Sequence, residues 1–328
     1  MVKVGRYLLF QILVCGLAVM PGVAGATERL GFPSGNQTFS PREVQFGSSS
    51  TEADCAKITN TVWITVDGKG DCIRYFAAGL SEKSNPEVLL YMHGDRMEGG
   101  TGRTLVQISN SYQKESPAEI EKDVTHWSGQ AKKPFIYLAR PGTYGSSGWH
   151  AERRRIREVQ LVDGAFDAIK KKHGIKTFHI AGQSGGGHLV AAMLTRRQDI
   201  GCAIISSGAT AVMRRAHEAG KSVDSTGYPD PYDPADHVAE IQKTPGLRVI
   251  VLSDPQDNRV SYSSQTYFVG LLRLHGIQPL HIVAKAGGAD RHDLAPKGRT
   301  ALRRCVAGKS ADEIKREFED PELASSIR

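Results

Sequence analysis

From residue 61 onward the chain alternates between two hydrophobic periods. Short, mostly apolar runs recur at Thr61–Val66, Cys72–Ala77, Val88–Met92, Phe135–Ala139, Thr177–Ala181, Cys202–Ser206, Arg248–Leu252 and Leu280–Ala284. Several of them do not alternate with polar residues, as expected of strands covered on both faces of a parallel sheet. Between them lie segments whose apolar residues recur every three or four positions. The strongest is Ala151–His173, where Ile156, Val159, Val162, Phe166 and Ile169 share one helical face and Gly174 supplies the stop. Gly186–Arg197, Ser261–His275 and Lys297–Ala307 read the same way.

This alternation predicts an α/β protein with a doubly wound, mostly parallel eight-stranded sheet flanked by helices. The first two strands are too close for a crossover helix, so they should form an antiparallel hairpin at one edge. Residues 27–56 are rich in Gly, Ser and Thr without a period and read as an irregular lead-in. Ser310 and Glu313 make a capping box that opens a charged helical tail over 309–328. No repeat or linker marks a second domain, so one domain is expected over 27–328, with its core at about 60–308.

Residues 1–26 have a different pattern. Lys3 and Arg6 precede an apolar run from Tyr7 to Met20, Pro21-Gly22 breaks it, and Ala24-Gly25-Ala26 fits a cleavage site. A signal peptide is expected, with Thr27 as the first mature residue, and the mature protein is expected to be exported, either to the periplasm or as a secreted protein. The apolar run is short for a membrane helix and no later segment is longer, so no stable membrane insertion is expected after cleavage.

Cleavage alters the charge and cysteine counts. Losing Lys3 and Arg6 lowers the net charge from +7 to +5. The basic runs Arg153-Arg154-Arg155 and Lys170-Lys171-Lys172 fall in one helical pattern and read as a solvated face, which gives no support to nucleic-acid binding. Of five cysteines Cys15 is removed, and Cys55, Cys72, Cys202 and Cys305 remain, with three connectivities open. The histidines lack metal-ligand spacing, so neither metal nor cofactor is expected.

The chemistry centres on Gly182-Gln183-Ser184-Gly185-Gly186, placed between a buried strand and a helix. That is the setting of a nucleophile elbow, where flanking glycines permit a sharp turn and close packing. A serine hydroxyl needs a base, and His292 lies in a glycine-rich loop beyond the last strand. The base needs a carboxylate, and both Asp254 and Asp257 follow the strand Arg248–Leu252. His93-Gly94-Asp95 ends another strand. Gly94 permits a tight turn, N–H groups from this turn and from Gly185 could bind an oxyanion, and His93 would hold the loop.

Met92-His93-Gly94, the elbow, an acid and His292, in that order, resemble the α/β-hydrolase superfamily. Over about residues 85–305 the chain resembles prolyl-oligopeptidase-type catalytic domains. Gly185-Gly186-Gly187 looks like their glycine run, and Tyr232-Asp233-Pro234, His237, Ile241, Pro245 and Asp257-Asn258-Arg259-Val260 look like their later motifs. The resemblance implies Ser184 as nucleophile, Asp257 as acid and His292 as base, with Asp254, at the family's glycine position, as the alternative acid. It implies Gly185 and Asp95 as oxyanion donors. It places Arg140-Pro141-Gly142-Thr143-Tyr144-Gly145 beside the pocket. Tyr144, Trp149 and a short cap insertion at 208–236 are pocket candidates from their positions, with ordinary loop packing the favoured reading for each. The fold the resemblance implies also favours the pairs Cys55–Cys72 and Cys202–Cys305. The chain departs from true prolyl oligopeptidases in that no propeller domain is expected over the site. The expected activity is cleavage of a small carboxylic ester, with a small-peptide peptidase as one alternative and a non-catalytic binding protein as another.

Overall fold

The computed structural model describes residues 28–82, 84–98, 107–320 and 323–324. The segment expected to be a signal peptide, residues 1–26, and Thr27 lie outside the described residues. Eight strands form one sheet: β1 (Thr61–Val66), β2 (Lys69–Ala78), β3 (Asn85–Met92), β4 (Phe135–Leu138), β5 (Ile175–Gln183), β6 (Ile200–Ser206), β7 (Arg248–Ser253) and β8 (Leu280–Val283). Their order across the sheet is β8-β7-β6-β5-β3-β4-β2-β1. β1 and β2 form the antiparallel edge hairpin, β2 also runs antiparallel to β4, and the remaining pairs are parallel.

The apolar runs are strands because both faces of the sheet are covered. Along β3, Val88, Leu90 and Met92 enter one core while Leu89 and Tyr91 enter the other. The first core is closed by α3 (Ile156–His173), α4 (Gly185–Arg196) and α6 (Tyr262–Leu274). On the other face lie α2 (Pro117–Ala131), α7 (Ala295–Val306) and α8 (Ala311–Glu319). Both expected disulfides are present, with Cα separations of 5.6 Å for Cys55–Cys72 and 6.3 Å for Cys202–Cys305. Ser310 and Glu313 form the expected capping box of α8.

Three sequence expectations need correction. Residues 27–56 were expected to be irregular, yet they include α1 (Pro41–Phe46), whose Val44 is buried. Helix α2 has no counterpart among the predicted helices. It buries only Pro117, Ile120, Val124 and Trp127, on a face otherwise diluted by charge, and a Ser116–Glu119 capping box starts it. Finally, the run Arg153–Arg155 is not a solvated helix face. Arg154 adopts a left-handed conformation with φ 63°, α3 begins only at Ile156, and Arg153 and Arg154 are buried. They turn inward because carboxylates there take their charge. Segment 207–247, between β6 and β7, carries α5 (Val212–Glu218) and a 3-10 turn at Pro234–Glu240, and includes the predicted cap insertion.

Candidate active site

The chain leaves β3 toward β4 on one side, and β5 joins β3 on the other. The carboxyl ends of β3 and β5 therefore meet at a topological switch point, the usual place for a site in such a sheet. Ser184 follows β5 with φ 55° and ψ −115°, a conformation that a side-chain-bearing residue holds only when its surroundings impose it. Those surroundings are specific. Ser184 N–H donates to Ser206 O at 2.9 Å, and Ser184 O accepts from His188 N–H at 3.0 Å and Ala209 N–H at 3.2 Å. A Cβ at Gly182 would lie 2.2 Å from Gly186 O, and one at Gly186 would lie 2.1 Å from Met92 O. Only glycine fits at either position.

Gln183 does something the sequence reading did not assign to it. Its Nε2 donates to His292 O at 2.7 Å, and its Oε1 accepts from Leu294 N–H at 3.2 Å. The residue beside Ser184 therefore clamps the loop that carries His292. A glutamine inside an elbow motif was the available signal, but its partners lie more than a hundred positions away.

Of the two candidate acids, Asp257 reaches His292. Its carboxylate accepts from His292 Nδ1 at 3.0 and 2.9 Å, and Oδ1 also accepts from the backbone N–H of Arg259 and Val260. The Asp257 side chain is fully buried, while 17% of the His292 side chain remains exposed. Asp254 goes elsewhere. It accepts from Ala286 N–H at 2.7 Å and Arg291 Nε at 2.8 Å, and so braces the His292 loop from behind.

The His93 ring ties two loops together. Its Nε2 accepts from Arg140 N–H at 3.3 Å, which leaves Nδ1 to donate to Gly94 O at 2.7 Å. Burial pushes its imidazole well below the usual range, with the cations Arg96 and Arg140 adding to the effect. The turn packs on the elbow, for a Cβ at Gly94 would lie 3.2 Å from Ser184 Cβ.

The Asp95 side chain is the centre of a charge cluster that the sequence reading missed. It accepts from Arg140 Nη1 at 2.8 Å, Arg153 Nε at 3.0 Å and Arg154 Nη1 at 2.7 Å. Arg140 continues to Glu158 and Arg154 to Asp224. Burial would push the Asp95 carboxyl up, but the three guanidinium groups overcome it and hold the carboxyl well below its usual range. The arginine run, Asp95 and Asp224 are far apart in the chain, so no local pattern links them.

Ser184 and His292 line one cavity of about 690 Å³, together with Gly94, Asp95 and Gln183. Of the pocket candidates, the 208–236 segment contributes Ala209, Arg215 and Ser225 to this wall. Tyr144 is instead fully buried in loop packing, and Trp149 is held by a hydrogen bond to Gln45 O at 2.8 Å. A partly exposed imidazole paired to a buried carboxylate can accept and return a proton at such a cavity wall.

This sheet, with its helical layers and strand-to-helix elbow, is the α/β-hydrolase fold. No protein-family model and no curated protein sequence matches the chain. Solved structures do match. Est1E from Butyrivibrio proteoclasticus, solved with ferulic acid bound, is 16% identical with a TM-score of 0.52, over 76% of this chain and 98% of that one. The Pyrococcus furiosus esterase Pf2001 is 12% identical with a TM-score of 0.52, over 80% and 97%. An uncomplexed acylaminoacyl peptidase from Pyrococcus horikoshii is 13% identical with a TM-score of 0.50, over 82% of this chain and 44% of that one. The chain thus spans less than half the length of that peptidase.

Proposed function

We propose that this protein is a serine hydrolase that cleaves a small carboxylic ester through an acyl-enzyme on Ser184. Ser184 Oγ attacks the ester carbonyl while His292 takes its proton, and Asp257 keeps the imidazole in the right tautomer and stabilises its charge. N–H groups of Gly185 and Asp95 receive the oxyanion. The alcohol leaves with the proton from His292. Water then attacks the acyl-enzyme, His292 accepts its proton, and the carboxylic acid departs as Ser184 is restored.

The observation that carries this reading is the His292–Asp257 contact at 2.9 Å, with His292 on the wall of the cavity that Ser184 also lines from its left-handed turn. An ester is favoured over a peptide because the two esterases match this chain over nearly their whole length, whereas more than half of the peptidase has no counterpart here. We place the mature chain outside the cytoplasm, as a single domain from Thr27. Two disulfides support that placement.

A fluorophosphonate probe should label the purified protein at Ser184, and Ser184→Ala should abolish labelling. A folded protein that takes no label would instead be a binding protein on a hydrolase fold. A series of p-nitrophenyl esters beside dipeptide amides then separates esterase from peptidase.

A further inference from the structure

Two adjacent arginines on α5 meet different surroundings. Arg214 pairs with Glu218 at 2.9 Å and lies over the Tyr267 ring, 4.5 Å from its centroid. Arg215 is half-buried and lines the cavity with Ser184 and His292. Among the described residues no carboxylate pairs with the Arg215 guanidinium, and no oxygen accepts a hydrogen bond from it. The acids whose fields reach it are already engaged: Asp224 by Arg154, Asp95 by three arginines, and Asp257 by His292.

The other cations of the cavity wall meet different surroundings, and among the described residues Arg96 alone of them lacks a carboxylate in an ion pair and has a buried Nε without an acceptor. Arg259 pairs with Asp290 and Arg299 with Asp123, while Arg96 lies over the Tyr144 ring in the field of Glu115. Burial, and then the positive field of Arg154, push the Arg215 guanidinium below its usual value. A cation held in such a place gains from an incoming anion. Its helix is also tied to the reacting centre, because Ala209, six residues earlier, donates to Ser184 O at 3.2 Å.

We infer that Arg215 is the seat for a carboxylate of the substrate, so that the esters this protein cleaves carry a carboxylate near the scissile bond. The inference rests on the serine-hydrolase reading above and narrows its substrate class. A guanidinium fork matches a planar carboxylate with two parallel hydrogen bonds. One unpaired guanidinium balances one negative charge, which a carboxylate supplies and a phosphate dianion exceeds.

Two matched pairs of substrates test this on either side of the ester. Mono-p-nitrophenyl glutarate is compared with p-nitrophenyl 5-methylhexanoate, and 4-carboxyphenyl acetate with 4-carbamoylphenyl acetate. In at least one pair the anionic ester should have the larger kcat/KM, by about tenfold to a hundredfold, as a charged hydrogen-bonded contact provides. Arg215→Gln should collapse that ratio toward one, Arg215→Glu should invert it, and Arg215→Lys should keep part of it. A wild-type ratio near one in both pairs, or a preference that survives in Arg215→Gln, overturns the inference even if hydrolysis is fast.

Calorimetry with glutarate separates this from failure of the hydrolase reading. Binding to Ser184→Ala that is lost in Ser184→Ala/Arg215→Gln upholds the carboxylate seat even where no ester is cleaved. Absence of binding together with absence of preference overturns it.

Discussion

His292 donates from Nδ1 to the Asp257 carboxylate at 2.9 Å, whereas Asp254, three residues earlier, turns to Arg291 and never meets the imidazole. The two carboxylates should separate cleanly in kinetics. Asp257→Asn is expected to lower kcat on a p-nitrophenyl ester by about 10³–10⁴-fold, since the amide favours the wrong tautomer. Asp254→Asn should cost less than about tenfold and show mainly as a lower Tm, because it loosens a loop and leaves the proton relay intact. Equal losses in kcat would remove the distinction.

Asp95 is 16% exposed and receives three guanidinium groups, of which Arg140 is fully buried. Asp95→Asn leaves those cations under-compensated, and urea unfolding should show a loss of about 3–5 kcal/mol. A loss below about 1 kcal/mol would mean that Glu158 and Asp224 suffice to hold the cluster.

The two disulfides close loops of unequal size, with sequence separations of 17 for Cys55–Cys72 and 103 for Cys202–Cys305. Loop entropy predicts about 3 kcal/mol for the short loop and about 5 kcal/mol for the long one. Paired serine substitutions, unfolded in urea, should rank in that order.

Three fully buried histidines make the fold sensitive to acid. Burial pushes His188 down to about 4 and holds His93 and His150 well below the usual range. Each stays neutral in the folded state but takes a proton in the unfolded chain below about pH 6.5. Their contribution is therefore fully present above about pH 6.5. As pH falls toward 4 it is lost, at up to about 1.4 kcal/mol per pH unit for each group. Unfolding free energies at pH 7, 6 and 5 should show this slope, and His188→Gln should make it shallower. An unchanged slope would take His188 out of the account.

The central strands were readable because a strand buried on both faces must be apolar throughout, as Val88–Met92 and Phe135–Leu138 are. Helix α2 was not, since Ile120, Val124 and Trp127 are sparse apolar marks among charged neighbours. Ser184 and His292 stand beside glycine-rich turns that local sequence displays. The Gln183 clamp and the Asp95 cluster depend instead on partners brought together only by the closed sheet. Arg153 and Arg154 misled most, for a run of cations reads as surface unless its distant carboxylates are known.

The Cys202–Cys305 bond encloses the whole stretch that carries Arg215, Asp257 and His292, and leaves Ser184 outside the ring. A protease that cuts the 207–247 crossover would therefore not release a fragment. The two pieces would stay one covalent molecule, with Asp257 and His292 still tethered to the sheet that presents Ser184. Reduction after such a cut would be the step that frees them, so survival of a nicked chain is tied to an oxidising surrounding.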